Sequence, residues 1–225
     1  MNTIVILGSG ISGLGSALLA KRNNYNVFVS DAGNISDSTK DILIKSSIKF
    51  EEYSHEKAKT IEPDLIIISP GIPPTCDIIT FFMAKSIKMI SEIEFASIHC
   101  KSQIIAITGS NGKTTTTTLT HKLISDAGFS CSISGNIGNS FSDVCEDDVD
   151  FSVLEVSSFQ LDRVDNFKPH IAIITSITPD HLDRYKNFDA YVDSKFKMIK
   201  NQSDEDYLIY DSDCKTINKY IKTKN

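Results

Sequence analysis

Short apolar runs recur along this chain, separated by polar stretches with helical spacing, and the alternation predicts parallel strands joined by helices. Ile4-Val5-Ile6-Leu7 reads as a first strand, and the segment after its glycines carries Leu14, Leu18 and Leu19 on one helical face. Val27-Phe28-Val29 predicts a second strand, and Phe50 and Tyr53 mark the neighbourhood of a third. Residues 55–59 read as a solvated helix, and Leu65-Ile66-Ile67-Ile68 as a buried strand. Residues 81–85 and 92–99 predict helices bracketing a short Met89-Ile90 strand, with Lys101-Ser102-Gln103 as a linker. In the second half the strands fall at Ile104-Ile105-Ala106-Ile107, Cys131-Ser132-Ile133-Ser134, Phe151-Ser152-Val153-Leu154, Ile171-Ala172-Ile173-Ile174 and Tyr207-Leu208-Ile209-Tyr210. Leu119, Leu123 and Ala127 stand at i, i+4 and i+8, which predicts an apolar stripe on a helix ending near Gly128. Residues 188–201 predict another helix, and a short polar one follows Asp211-Ser212-Asp213. No internal repeat is visible beyond the strand–helix alternation.

Composition narrows this picture. The 225 residues suffice for two ordinary domains, and 40% apolar with 23% charged residues is globular. A net charge of −6 argues against a nucleic-acid partner, which would need a basic face. Any anionic ligand must then be held by local geometry. The five cysteines are scattered and without a CxxC pair, which fits reduced thiols in a cytosol. No apolar run approaches the length of a membrane span, and the first strand begins too early for a signal peptide. The expectation is a cytoplasmic protein with no membrane partner.

Two loops carry candidate chemistry. Gly8-Ser9-Gly10-Ile11-Ser12-Gly13 follows the first strand with G-x-G-x-x-G spacing, and Asp31 ends the second strand about 20 residues on. This is the Rossmann pattern, and it points to a nucleotide diphosphate more securely than to nicotinamide. Tight packing of strand and helix with no ligand stays open. Ser69-Pro70-Gly71-Ile72-Pro73-Pro74 is a rigid turn after another parallel strand, where open α/β sheets bind ligands, or else simple loop punctuation. The second loop is Thr108-Gly109-Ser110-Asn111-Gly112-Lys113-Thr114-Thr115, an apolar strand running into glycines and a lysine at a helix start. Backbone N–H groups, the helix N-terminus, Lys113 and the Thr114 hydroxyl suit a polyphosphate with Mg²⁺. The loop is a shortened P-loop, since Ile107 stands where the usual spacing has its first glycine. Glu155 terminates the strand of residues 151–154, a position from which a nucleotide enzyme holds Mg²⁺ or orients its nucleophile. His181 lies just past another strand, among Asp180 and Asp183. Lys195 is, on spacing alone, one more helical lysine, one turn from Tyr191. His121 and His170 read as solvated or packed.

Thr108-Gly-Ser-Asn-Gly-Lys-Thr, Gly135-Asn-Ile-Gly, Leu154-Glu-Val-Ser-Ser-Phe-Gln-Leu, Asp180-His-Leu-Asp and Tyr191-Val-Asp-Ser-Lys195 resemble, in this order, the motifs of the Mur ligases of peptidoglycan synthesis. The Ser157-Ser158-Phe159-Gln160-Leu161 run resembles the branch that adds D-glutamate. The resemblance implies an N-terminal Rossmann-like parallel-sheet domain at residues 1–100, followed by an incomplete P-loop ATPase-type α/β domain at residues 101–225. It implies an ATP-dependent ligase that phosphorylates the alanyl carboxylate of UDP-N-acetylmuramoyl-L-alanine and lets D-glutamate attack the acyl phosphate. Gly109, Ser110, Asn111, Gly112, Lys113, Thr114 and Thr115 would bind ATP. Thr114 and Glu155 would hold one Mg²⁺, and Glu155, His181 and a carbamylated Lys195 a second. Lys113, Glu155, His181 and Lys195 are thereby the implied catalytic group. Asn136, Ser157 and Gln160 would face the UDP-sugar, with Gly10, Ile11, Ser12, Gly13, Asp31, Ser69 and Gly71 at its uridine diphosphate end. A monomer is expected.

Against family members the chain stops early, so a further C-terminal domain with the D-glutamate site is expected to be lacking, and the 225-residue chain alone is expected to be inactive. Alternatives are another Mur or folylpolyglutamate-type ligase, a non-catalytic nucleotide-binding remnant, or an NAD-dependent oxidoreductase. The last leaves Lys113, Glu155 and His181 without a purpose.

Overall fold

A computed structural model describes residues 2–224. The first half alternates β1 (Thr3–Leu7), α1 (Ile11–Arg22), β2 (Asn26–Ser30), α2 (Asp37–Lys45), β3 (Lys49–Glu51), α3 (Glu56–Lys59), β4 (Leu65–Ile68), α4 (Asp77–Ala84), β5 (Met89–Ser91) and α5 (Glu92–His99). The second continues with β6 (Gln103–Thr108), α6 (Lys113–Asp126), β7 (Cys131–Gly135), α7 (Phe141–Val144), β8 (Phe151–Glu155), α8 (Ser158–Leu161), β9 (Ile171–Ile174), α9 (Phe188–Phe196), β10 (Tyr207–Tyr210) and α10 (Lys215–Lys224). Contacts divide the chain into two units. Residues 140–143 belong by their contacts to the first, with residues up to His99, and the rest from Cys100 onward forms the second.

Each unit is built on a five-stranded parallel sheet, ordered β3-β2-β1-β4-β5 in the first and β10-β9-β6-β8-β7 in the second. Helices on both faces explain why the central strands read as unbroken Ile/Val runs. In the first unit Val5, Leu7, Ile66 and Ile68 pack with Ile78, Ile79 and Phe82 of α4. In the second, Ile105, Ile107 and Val153 form the sheet's core, with Ile124 of α6 packed on it. In both units the strand order reverses beside the first strand, at β1/β4 and at β6 between β8 and β9. Such a switch point opens a crevice at the carboxyl ends of the strands, where α/β sheets bind ligands.

Three sequence expectations are corrected here. Leu119 and Leu123 do not form a buried stripe; they are 55% and 61% exposed. The face of α6 turned to the sheet carries Thr117 and Ile124. The helix is fixed by its first residue, Lys113, whose loop must sit at the end of β6, and that constraint outranks the i, i+4 count. The 81–85 helix also starts earlier, at Asp77, and the 188–201 helix turns 3₁₀ at residues 197–199.

Candidate functional site

The second unit's loop grows out of β6, buried along Ile104-Ile105-Ala106-Ile107-Thr108. Gly109 follows at φ +153°, and a Cβ there would lie 2.0 Å from Thr175 Oγ1, so only glycine lets the loop pass this close to the segment after β9. That segment holds the loop. Ser110 N donates to Ser176 O at 2.7 Å, Ser110 Oγ to Thr178 O at 2.9 Å, and Thr175 Oγ1 to Asn111 O at 2.6 Å. Gly112 caps α6, whose first turn carries no acidic residue of its own.

Charged groups converge on this loop. Lys113 Nζ donates to the carbonyls of Gly109 at 3.0 Å and Ser110 at 3.1 Å. Lys195, reaching in from α9 and only 1% exposed, donates to the same Gly109 carbonyl at 2.9 Å and lies 4.5 Å over the Tyr191 ring. Burial, and next the charge of Lys113, push the Lys195 amine down to about 7, against the opposing pull of Asp180. A buried amine in this state is partly free base near neutral pH.

Glu155 ends β8, buried, and both its oxygens are engaged. Thr114 Oγ1 donates to Oε2 at 2.7 Å and Asn136 Nδ2 to Oε1 at 2.8 Å. Thr114 and Glu155 together present oxygen donors, the kind Mg²⁺ prefers. Among the described residues no three His, Cys, Asp or Glu side chains lie close enough to hold an ion by themselves. An Mg²⁺ at Thr114 and Glu155 fits nonetheless, because that ion takes few protein ligands and completes its shell with phosphate oxygens and water. Glu155 makes no direct bond to His181 or Lys195. His181 stands in the left-handed region at φ +52°, its Nε2 3.5 Å from Asp180 Oδ2 and its ring 4.8 Å from that of Phe159 and 6.1 Å from that of Tyr191. Tyr191 is the residue the sequence undervalued. Its hydroxyl shares a hydrogen bond with Ser110 Oγ at 3.1 Å while its ring carries Lys195 and touches His181. The signal was the i, i+4 spacing to Lys195. Ser157 and Gln160 form a capping box on α8 in which Gln160 Oε1 accepts from Ser157 N at 2.9 Å. Gln160 is buried, so its carbonyl works inside the chain.

The first unit has a cavity of about 480 Å³ at its own switch point. Gly10, Ile11, Ser12, Asp31, Ser69 and Gly71 all line it. Gly13 does not; a Cβ there would lie 2.0 Å from Gly8 O, so it serves the close approach of α1 to the loop. Asp31 also differs from a free ribose acceptor. Its Oδ2 accepts from Ser9 N at 2.7 Å and Ser9 Oγ at 2.6 Å, and its Oδ1 from Gly33 N at 2.8 Å. Burial works to raise its pKa, but these bonds and the nearby His55 outweigh it and hold the carboxyl below its usual range. Ser69 Oγ is buried, with no hydrogen-bond partner among the described residues, a group a ligand can satisfy.

Residues 107–225 match the family model described as the Mur ligase middle domain, and residues 3–78 the one described as the MurD N-terminal domain. The UDP-N-acetylmuramoylalanine--D-glutamate ligase of Christiangramia forsetii is 49% identical over 221 residues, 97% of this chain and 50% of that protein. The same-named ligase of Cytophaga hutchinsonii is 46% identical over 223 residues, again covering 97% and 50%. The chain thus spans about half the length of the curated relatives it matches. Among solved structures, a UDP-N-acetylmuramate:L-alanyl-gamma-D-glutamyl-meso-diaminopimelate ligase from Neisseria superposes with a TM-score of 0.63 at 16% identity, covering 99% of this chain and 75% of that one. At that identity the likeness speaks for the fold alone.

Proposed function

This chain belongs to the Mur ligase family, and from that premise we propose that it forms the UDP-substrate and ATP half of an enzyme joining D-glutamate to UDP-N-acetylmuramoyl-L-alanine. The observation that carries the reading is the convergence of Lys113 and Lys195 on one carbonyl, that of Gly109, beside a buried Glu155 bound to Thr114. Two polyanions must meet in such a reaction, and a unit charge pair at about 4 Å is worth up to about 4 kcal/mol at an effective dielectric near 20. Gly109, Ser110, Asn111, Gly112 and Thr115 would wrap the ATP phosphates, with Lys113 as the mobile cation. Thr114 and Glu155 would hold the magnesium, which neutralises phosphate charge when bound. His181 and Lys195 would sit toward the carboxylate, with Asn136, Ser157 and Gln160 near the UDP-sugar and the 480 Å³ cavity around its diphosphate end.

The γ-phosphoryl group passes to the alanyl carboxylate and ADP leaves; the D-glutamate amine then displaces phosphate to give the amide. No residue of this chain is assigned to D-glutamate. Carbamylation requires a neutral amine, and the lowered pKa of Lys195 supports reaction with CO₂, which would turn a repelling ammonium into an anionic oxygen ligand for a second magnesium. The reading carries with it a monomer in the cytoplasm. Among the described residues no helix is long and apolar enough to cross a membrane.

Calorimetric titration of the purified chain with UDP-N-acetylmuramoyl-L-alanine and with Mg·ATP tests it, beside a Lys113→Met variant. Saturable binding of both ligands, with ATP binding lost in the variant, supports the reading. A thermal shift with NADH and none with the UDP-substrate would overturn it in favour of an oxidoreductase.

A further inference from the structure

The cavity of the first unit contains an imidazole with no task so far. His55, half-buried ahead of α3, lines it beside Asp31 and Ala32. Its Nδ1 lies 2.6 Å from Ser30 Oγ, and that hydroxyl lies 2.8 Å from Glu51 Oε1, with a longer 3.4 Å approach to Ser54 O. Glu51 is buried and also takes amide hydrogens from Lys57 at 2.9 Å and Ala58 at 2.7 Å. A backbone amide donates to each oxygen, which is the bonding of a carboxylate that only accepts. A hydroxyl has one hydrogen, so Ser30 gives its own to Glu51 and is left to accept from His55. The ring proton is thereby fixed on Nδ1, and Nε2 keeps a bare lone pair.

Among the described residues Nε2 makes no hydrogen bond. The charged groups around the ring are Glu51, Asp31, Lys59 and Glu56. Burial outweighs the attraction of the carboxylates and holds the imidazole below its usual pKa, so the ring is neutral at pH 7.5. A neutral acceptor repels phosphate, whose natural place is the glycine loop and the α1 N-terminus, which also line the cavity. Ribose hydroxyls belong at the end of β2, where Asp31 Oδ1 takes a single internal hydrogen and retains accepting capacity. The base remains for His55.

We propose that His55 Nε2 accepts the N3–H of a uracil base in this cavity and makes the site prefer uridine over cytidine nucleotides. Uracil carries a donor at N3 where cytosine carries a lone pair, so cytosine would leave two acceptors facing each other unpaired. The inference rests on the reading that this cavity takes the uridine diphosphate end of the substrate.

The test uses the 225-residue chain with UDP, CDP and 2′-deoxy-UDP as probes. Long-range ¹H–¹⁵N spectra should show the Nδ1–H tautomer of His55 without ligand, and an Nε2 resonance that moves with UDP but not with CDP. UDP should bind about tenfold more tightly than CDP. In His55→Asn, whose amide can keep the donor to Ser30 while deleting the Nε2 atom, that ratio should fall to about one. UDP binding that leaves the His55 resonances unmoved, or a UDP/CDP ratio unchanged in the variant, overturns the inference and leaves the substrate reading standing. A loss in the variant confined to the 2′-deoxy comparison also overturns it, by making His55 a ribose contact. Failure of both UDP and UDP-N-acetylmuramoyl-L-alanine to bind removes the substrate reading and the inference together. Should the variant not fold, the resonances of the native chain still decide.

Discussion

Lys195 is the residue whose burial asks most of the fold. An ammonium taken out of water beside Lys113 costs free energy unless it loses its proton, and the amine is accordingly held near 7 while an unfolded lysine stays near 10.5. Between those values the unfolded chain binds more protons than the folded one, so the stability of the native protein should rise with pH from about 7 to about 10.5. Replacement Lys195→Met removes the titration. Urea midpoints across this range, with CO₂ excluded, should show the variant's lead over the native chain shrinking as pH rises, and a constant difference would contradict the pKa. Thr114 makes a second residue-scale case. Its hydroxyl holds Glu155 Oε2 at 2.7 Å, so Thr114→Val leaves a buried carboxylate oxygen short of a partner and removes one of the two proposed magnesium donors. The variant should lose about 1 to 3 kcal/mol of stability and bind Mg·ATP at least tenfold more weakly, with nucleotide binding in EDTA less affected. Of these groups, Lys113, Glu155 and Thr114 were legible in sequence because strand, glycine turn and helix announce their positions. The shared contact of Lys113 and Lys195 with the Gly109 carbonyl was not, since it joins residues 86 apart through a fold no local pattern encodes.

At the scale of elements, α6 shows how a loop overrides a periodicity. Leu119 and Leu123 share a helical face, and spacing alone would turn that face inward. The register of α6 is instead set by Lys113 and Thr114, which must reach Gly109 and Glu155, and this rotates Thr117 and Ile124 onto the sheet. The consequence is measurable by thermal or urea unfolding. Leu123→Gln should change stability by no more than about 0.5 kcal/mol, as exposed substitutions do, whereas Ile124→Ala should cost about 1 to 3 kcal/mol. The reverse order would restore the sequence expectation. Strands were the best-read elements because those of a parallel sheet are apolar on both faces and need no periodicity to be seen. Short helices such as α7 and α8 were not readable as helices, since four residues carry no period.

For the whole molecule, order along the chain and order in space part company at one place. The linker expected at residues 101–103 leads into the second sheet, yet residues 140–143 return by their contacts to the first unit. There Phe141 is fully buried, Ser142 O accepts from Arg22 at 3.2 Å, and Ser142 N donates to Glu92 Oε1 at 2.6 Å. Glu92 opens α5 and is itself buried, with Oε2 lacking a partner among the described residues. Nothing in the sequence marks this, because Glu92 reads as an ordinary acid in a first helical turn. Burial pushes its carboxyl up to about 7, with the bond from Ser142 opposing. The folded chain therefore binds a proton there that the unfolded chain has released above about 4.5, so the Glu92 contribution is fully present below that value and is lost as pH rises through 7. Glu92→Gln keeps an acceptor for Ser142 and removes the charge. Its stability relative to the native chain should climb between pH about 4.5 and 7.5 by on the order of 3 kcal/mol at most. Hydrogen exchange of the α1 and α5 amides reports this from the first unit itself. A pH-independent difference between the two chains would mean that Glu92 keeps the same ionisation in the folded and unfolded chain, and that burial does not raise its pKa.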